Sequence, residues 1–479
     1  MTITVQESAR RNQPLLYDQV SRVLRSMIDE GSLQPGQKVP SLRNMSRQLK
    51  VSISTVLQAY SRLEDEGVIE SRPQSGYFVT PRAAVVIPPP RRSRTQRAPR
   101  RVKLGETVQS IFALANRGDV VPLGVANPSP ELLPIRTLTR LTREMASRSP
   151  RQALNYCFPP GDEALRREIA IRSISMGGAV SPDNVIITTG ATEALMTSLS
   201  AVAGPGDVVA VESPAYFMLL QIIESLGMLA LEIATDPETG MCLDDLQKTI
   251  DHIDVKVAIT NANFHNPTGS LMPDDNKRRL VAMLAERRIP LIEDDIYGDL
   301  YFTEERPRTI HSFDDHGGVL LCSSFSKTVA PGYRIGWVVA GNYKDKAMNR
   351  KQLASAATVS LTQMVMAEFL RTGGYDRNLA NLRRRYAEQV RRMRAAVAEY
   401  FPEGTRVSEP RGGFVLWVEL PPGTDAWELF NQAMERRIGV TPGSLFSSSG
   451  KYRNYLRLSA GHPWDPRIEE AVKTVGDLA

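Results

Sequence analysis

Residues 323–337 read SSFSKTVAPGYRIGW: a lysine follows two alternate serines, an arginine stands seven positions further on, and small or apolar residues surround both. The run just before it, VLLC at 319–322, is short and continuously apolar, as a strand buried on both faces of a parallel sheet must be. Lys327 is therefore expected at the carboxyl end of a strand beside Ser324 and Ser326, where ligands of open α/β sheets gather. A lysine amine held in an apolar pocket loses hydration, its pKa falls, and its lone pair is freed to form a Schiff base with an aldehyde. Most lysines are solvated surface residues, so this reading needs partners elsewhere in the chain.

From about residue 120 the sequence alternates strand-like runs with helical ones, as in NVIITTG (184–190) then ATEALMTSLSAVAG (191–204), and NKRRLVAMLAERR (276–288) then IPLIEDD (289–295). That pattern is an α/β domain with a mainly parallel sheet. An aldehyde cofactor with a phosphate and a pyridine ring, pyridoxal phosphate, makes demands that can be checked residue by residue. Gly190 ends a strand and opens a helix, which offers the N–H groups of Ala191 and Thr192 to a phosphate. Ser324, Ser326 and Arg334 add hydroxyls and a fixed cation. Asp294 ends another strand, where a carboxylate would keep the pyridine nitrogen protonated, and Tyr297 follows three residues later. Tyr297 and Asn266 of NFHNPTG (263–269) could both bond the phenolic oxygen, and Tyr216 of ESPAY (212–216) could stack on the ring. Singly, each has a plain structural alternative: a turn, a solvated strand end, a routine strand-to-helix join.

Together and in this order, these residues resemble the fold-type I aminotransferases over roughly residues 120–475. The resemblance implies a PLP-dependent transferase fold, a large domain with a mainly parallel sheet and a smaller α+β C-terminal subdomain. It implies that Lys327 carries pyridoxal phosphate as a Schiff base. Arg457 of YLRLSA (455–460) matches the arginine that clamps a ligand α-carboxylate, although a structural ion pair is the alternative. Tyr156 of LNYCFPPG (154–161) matches a tyrosine that reaches the cofactor phosphate of the neighbouring subunit. A head-to-tail homodimer is implied with it.

The first eighty residues have a different grammar. Leu16, Val20, Val23, Leu24, Met27 and Ile28 fall on one helical stripe that Gly31 is placed to stop. A second helix starts at a capping Ser41 and buries Leu42, Met45 and Leu49, while Arg43 and Arg47 point elsewhere. A third, with Ser52 or Ser54 as its cap, places Val56, Tyr60 and Leu63 on a stripe ending at Gly67. VIESRPQSGYFV (68–79) reads as two short strands around a turn from Pro73 to Gly76. Three helices and a hairpin make a winged helix-turn-helix. Residues 14–80 resemble the GntR family of bacterial transcription regulators, which implies that Arg43, Ser52, Ser54, Thr55 and the wing around Gly76 approach double-stranded DNA. One departure is visible: the family often has arginine after the first hydroxyl residue of the third helix, where this chain has Ile53.

Charge separates the regions. Residues 1–80 carry a net +2, residues 81–105 carry +8 with no acidic residue, and the remainder carries −4, within a total of +6. The basic stretch, PRAAVVIPPPRRSRTQRAPRRVK (81–103), reads as a linker that either is a solvated spacer or also lies along phosphates. Cys157, Cys242 and Cys322 form no C-x-x-C pair and are expected to be small buried hydrophobes, and the five histidines lack metal-ligand spacing, so no metal is expected. No apolar run approaches a membrane span, and a soluble cytoplasmic protein is expected.

The expected organisation is a winged helix over 1–80, a Pro/Arg-rich linker over 81–118 and an aminotransferase-like domain over 119–479. This layout resembles the MocR regulators, a GntR subfamily. It implies a DNA-binding regulator whose second domain senses a small amine, an amino acid or pyridoxal phosphate itself. The alternative is an active aminotransferase that carries a DNA-binding domain.

Overall fold

The computed structural model describes residues 16–29, 32–34, 36–65, 68–72, 75–80, 87–96, 98–104 and 118–479. Two units are distinguished, Met1–Val86 and Ile87–Ala479.

In the first unit, helices Leu16–Asp29, Leu42–Leu49 and Ile53–Asp65 precede an antiparallel hairpin of β1 (Ile69–Arg72) and β2 (Gly76–Val79). Val20, Leu24, Met45, Val56, Tyr60, Leu63, Ile69 and Val79 are buried together, and Tyr60 Oη donates to Pro40 O at 2.8 Å. Burying each of the larger aliphatic side chains contributes about 1.5–3 kcal/mol. The first helix departs from expectation: Leu16 and Val23 are exposed, because Val20 and Leu24 already fill the space above the third helix. Ser41 caps the second helix by accepting from Asn44 N, and Ser52 caps the third by accepting from Thr55 N at 3.1 Å. The hairpin gains a third member that periodicity did not show, since Lys38 bridges Phe78 and Val39 N donates to Tyr77 O. Gly31 and Gly67, the expected helix stops, and Pro73 of the wing turn lie outside the described residues.

The second unit is built on a sheet in which β3 (Arg100–Arg101), β6 (Leu229–Asp236), β5 (Val208–Ser213), β8 (Val255–Thr260), β9 (Leu291–Asp294), β10 (Val319–Ser324), β11 (Gly336–Val339) and β4 (Val185–Thr188) lie side by side in that order. β7 (Gly240–Met241) pairs with the end of β6. Strands β6, β5, β8, β9 and β10 run parallel, whereas β11 is antiparallel to both its neighbours. The mixed, mostly parallel sheet carries helices such as Ala191–Val202 and Asp274–Glu286 as crossovers, and its strands are buried along nearly their whole length. A smaller antiparallel sheet, β12 (Arg406–Val407), β13 (Val415–Glu419), β15 (Tyr455–Ser459) and β14 (Thr441–Pro442), packs with helices Gly374–Tyr400 and Pro466–Leu478. Cys322 is buried as expected, but Cys157 and Cys242 are only half-buried.

The basic stretch differs most from its reading. Of the residues expected as a free linker, 87–96 and 98–104 lie along the second unit: Pro88 O accepts from Val407 N and Arg91 N donates to Glu419 beside the smaller sheet, and from Ser93 onward the segment straps the outer edge of β6. Ser93 N donates to Thr235 O, Thr235 N to Ser93 Oγ, Ala234 N to Thr95 Oγ1, and Gln96 N to Glu232 O. Arg91 pairs with Glu419 and Arg92 with Asp245. The physical reason is the edge itself: β6 presents unpaired N–H and C=O groups, and Ser93, Thr95 and Gln96 satisfy them without forming a regular strand until Arg100. Residues 81–86, 97 and 105–117 lie outside the description.

Candidate functional site

The carboxyl ends of β9 and β10 open on a cavity of about 310 Å³. Its wall includes Ala191, Thr192, Tyr216, Asn266, Asp294, Tyr297, Ser326, Lys327, Arg334 and Arg457, ten of the residues picked from sequence. Ser324 and Tyr156 do not line it. Ser324 is buried one layer back, where its Oγ accepts from Ser326 N at 3.2 Å and holds the residue that does face the cavity.

Lys327 leaves the end of β10 and donates to Ala126 O at 2.7 Å and Asn127 Oδ1 at 3.2 Å. Burial pushes its amine down, and the guanidinium groups of Arg457 and Arg334 add to this against the opposing Asp294; the result is a pKa of about 8. Asp294 and Asp295 separate by strand alternation. Asp295 is buried and paired with Arg306, while Asp294 has no ion pair among the described residues and its carboxylate accepts only from Ile296 N, at 3.3 Å. Burial, reinforced by the neighbouring Asp295, raises the Asp294 carboxyl to about 7.

The phosphate-cup candidates meet at one point. Gly190 takes φ +83° as it caps the helix Ala191–Val202, and Arg334, itself at φ +54°, sends its guanidinium to Thr189 O and Pro331 O. A Cβ on Gly190 would lie 2.5 Å from Arg334 Nη2. The helix N-terminus, Ser326 and a fixed cation thus all line the cavity.

Arg457 lies mid-strand on β15, between β13 and β14. It is 3% exposed, gives Nη1 to Asn266 Oδ1 at 3.1 Å and Nη2 to Gly124 O at 2.6 Å, and has Phe446 at 5.2 Å from its Cζ. It makes no ion pair among the described residues, so the structural ion-pair alternative has no partner there. Burial lowers its pKa. Its Nε and the Oη of Tyr297 are both buried without a hydrogen-bond partner. Two orphaned polar atoms, an unpaired carboxyl and a depressed lysine on one cavity fit the donor set that a phosphorylated pyridine aldehyde requires.

Reading by residue missed several members. Asn261 lines the cavity, donates to Asp294 O and accepts from Asn266 N at 2.9 Å. Its only signal was a second asparagine ahead of NPTG. Behind it Glu212 accepts from Asn261 N and pairs with His265 Nε2 at 3.2 Å. The Gly124–Asn127 segment, which holds both Lys327 and Arg457 through its carbonyls, had no local mark at all.

Tyr156 stands elsewhere, 73% exposed and stacked on Phe158 at 5.4 Å, beside a second pocket that includes Cys157, Asp162 and Ser360. Leu154 and Phe158 are exposed with it.

In the first unit Ser52 Oγ lies 2.8 Å from both Ser54 Oγ and Thr55 Oγ1, so the three hydroxyls form one cluster at the start of the third helix. Ser52 and Ser54 are exposed and Thr55 is half-buried. Arg43 is exposed on the second helix, and Gly76 is exposed at φ +98° in the wing, against Lys38.

Comparison with known proteins agrees with both halves. Residues 119–475 match the family described as aminotransferase class I and II, and residues 16–79 match the bacterial regulatory proteins of the gntR family. The chain is 38% identical over 461 residues to the uncharacterized HTH-type transcriptional regulator YjiR of Escherichia coli (strain K12), covering 96% of this chain and 98% of that protein. It is 37% identical over 467 residues to YdcR of the same organism, another uncharacterized HTH-type transcriptional regulator, covering 96% and 98%. Among solved structures, LysN, the alpha-aminoadipate aminotransferase of Thermus thermophilus complexed with N-(5'-phosphopyridoxyl)-L-leucine, superposes with a TM-score of 0.73 at 30% identity, covering 78% of this chain and 94% of that one.

Proposed function

We propose that this chain, which belongs to the aminotransferase class I and II family and carries a gntR-family domain ahead of it, is a MocR-type transcription regulator whose pyridoxal phosphate pocket senses an amino acid or amine. The observation that carries the reading is Arg457: a buried cation with no carboxylate partner among the described residues, facing the same cavity as Lys327. A ligand with a carboxylate and an amine matches the two groups, Arg457 and Lys327, that line that cavity.

When bound, the cofactor supplies an aldehyde and a ring that accepts electrons. Lys327 would hold the aldehyde, and with a pKa near 8 it is partly the free amine at neutral pH and able to take up a proton. Asp294 would face the pyridine nitrogen, Tyr297 and Asn266 the phenolic oxygen, and Tyr216 the ring. The N–H groups of Ala191 and Thr192, with Ser326 and Arg334, would hold the phosphate, and Ser324 would orient Ser326. Arg457 would clamp the ligand carboxylate. A second copy, packed head-to-tail over Leu154, Tyr156 and Phe158, would bring Tyr156 to its neighbour's phosphate; the exposure of these three residues supports it. The DNA contacts fall to Arg43, Ser52, Ser54, Thr55 and the wing at Gly76, in the cytoplasm where the operator is.

Ligand can change DNA affinity only through unequal affinity for two states of the protein, and the coupling is then reciprocal. The presence of Lys327, Asp294 and Arg457 on one cavity also supports a second reading, a working aminotransferase. The test measures operator affinity and keto-acid release with single amino acids that shift the cofactor spectrum, in wild type and Lys327→Ala. A ligand-dependent change in DNA affinity that Lys327→Ala abolishes supports the sensor. Steady keto-acid release with unchanged DNA affinity overturns it in favour of the enzyme.

A further inference from the structure

The third helix of the first unit presents an unusual reading face. Ile53 is 48% and Leu57 46% exposed, one turn apart on the same side of a 13-residue helix, and exposed Gln58 stands next to Leu57. Such exposure loses the stabilisation that burial would give each aliphatic side chain, on a domain whose own core is complete with Val56, Tyr60 and Leu63. The Gln58 amide has no hydrogen-bond partner among the described residues. The arginine of this helix is committed elsewhere: Arg62 pairs with Asp18 on the first helix at 2.5 Å. No guanidinium on the helix is therefore left to take the two acceptors of a guanine edge.

The surroundings select the occupant. Arg43, Arg47 and Lys50, on the second helix and the turn that leads into the third, are exposed and make no ion pair among the described residues. An aliphatic strip flanked by free cations suits a surface that is anionic at its rim and carries methyl groups on its floor, which describes the major groove at thymine. We propose that this face reads A·T base pairs, with Ile53 and Leu57 packing on thymine 5-methyl groups and the Gln58 amide pairing with the N6 and N7 edge of adenine. The inference rests on the regulator reading and adds the base class that this chain's helix recognises.

The test uses the full chain loaded with pyridoxal phosphate. Duplexes that bind are first selected from a random-sequence pool; each thymine is then replaced in turn by deoxyuridine, which removes one methyl and leaves the base pair. Loss of a methyl contact should weaken binding about three- to fivefold at one or two thymines per half-site. The same replacements should have no effect on Ile53→Ala/Leu57→Ala, and Gln58→Ala should lose its preference for A·T at the adjoining pair. A selected sequence whose affinity is indifferent to every deoxyuridine, or a half-site core of G·C pairs, overturns the inference while leaving sequence-specific binding intact. No selectable sequence at all overturns the regulator reading as well.

Discussion

Gly190 lies against Arg334 so closely that a Cβ on residue 190 would stand 2.5 Å from the guanidinium. The glycine serves twice: its φ of +83° turns the chain from β4 into the helix Ala191–Val202, and its missing side chain lets the cation reach the helix N-terminus. Gly190→Ala is expected to weaken pyridoxal phosphate binding about tenfold or more, with a stability loss of about 1–2 kcal/mol from the strained φ. Equilibrium dialysis of the cofactor and thermal unfolding check the two effects, and unchanged cofactor affinity would remove this turn from the phosphate cup.

Asp294 predicts a pH dependence. Its folded pKa, about 7, lies above the unfolded value near 4, so between those values the folded chain keeps a proton that the unfolded chain has lost. This group therefore lowers stability progressively as pH rises through that window. In cofactor-free protein Asp294→Asn should be more stable than wild type by up to about 4 kcal/mol at pH 8, with the gap shrinking toward pH 5. With cofactor loaded the order should reverse, because the pyridine nitrogen loses its counter-ion. Thermal unfolding of both proteins at the two pH values, with and without cofactor, makes the comparison.

Arg457 faces the cavity and holds two neighbours. Arg457→Ala removes the donors to Asn266 Oδ1 and Gly124 O, an expected cost of about 1–3 kcal/mol. Affinity for a carboxylate-bearing amino acid should fall about a hundredfold, while affinity for the corresponding decarboxylated amine should change little. Titrations followed by cofactor absorbance separate the two, and equal losses for both ligands would assign Arg457 a purely structural role.

The strap makes its own prediction. Gln96 donates to Ser448 and Ser449 and accepts from Glu232 N, so Gln96→Ala should cost about 1–2 kcal/mol and make residues 87–104 more sensitive to limited proteolysis. Arg91 and Arg92 are paired to Glu419 and Asp245 rather than free. Their joint replacement by alanine should therefore leave the salt dependence of DNA binding unchanged, whereas two phosphate contacts would flatten the log–log slope by about 1.8.

The sequence by itself determined the class of each half of the protein. Strand-to-helix alternation, the lysine after the apolar VLLC run, and the helical stripes with their Ser41 and Ser52 caps are local signals, written in spacings of a few residues that backbone geometry translates directly. Ala191, Thr192, Asp294, Ser326 and Lys327 were legible because they stand at or just beyond the end of a strand or at the start of a helix, where an α/β sheet must place its ligands, whereas Arg457, mid-strand on β15, was found only through the family resemblance. Asp294 was chosen from sequence, but only the tertiary structure showed what occupies its neighbour: Arg306, eleven residues beyond Asp295, pairs with that carboxylate. It also decided that Gly124 and Ala126 carbonyls hold Arg457 and Lys327, and that an arginine-rich segment read as spacer docks on the edge of β6. Those relations join residues far apart in the chain through backbone carbonyls and exposed strand edges, groups that every residue carries, and so no side-chain pattern in the sequence could mark them.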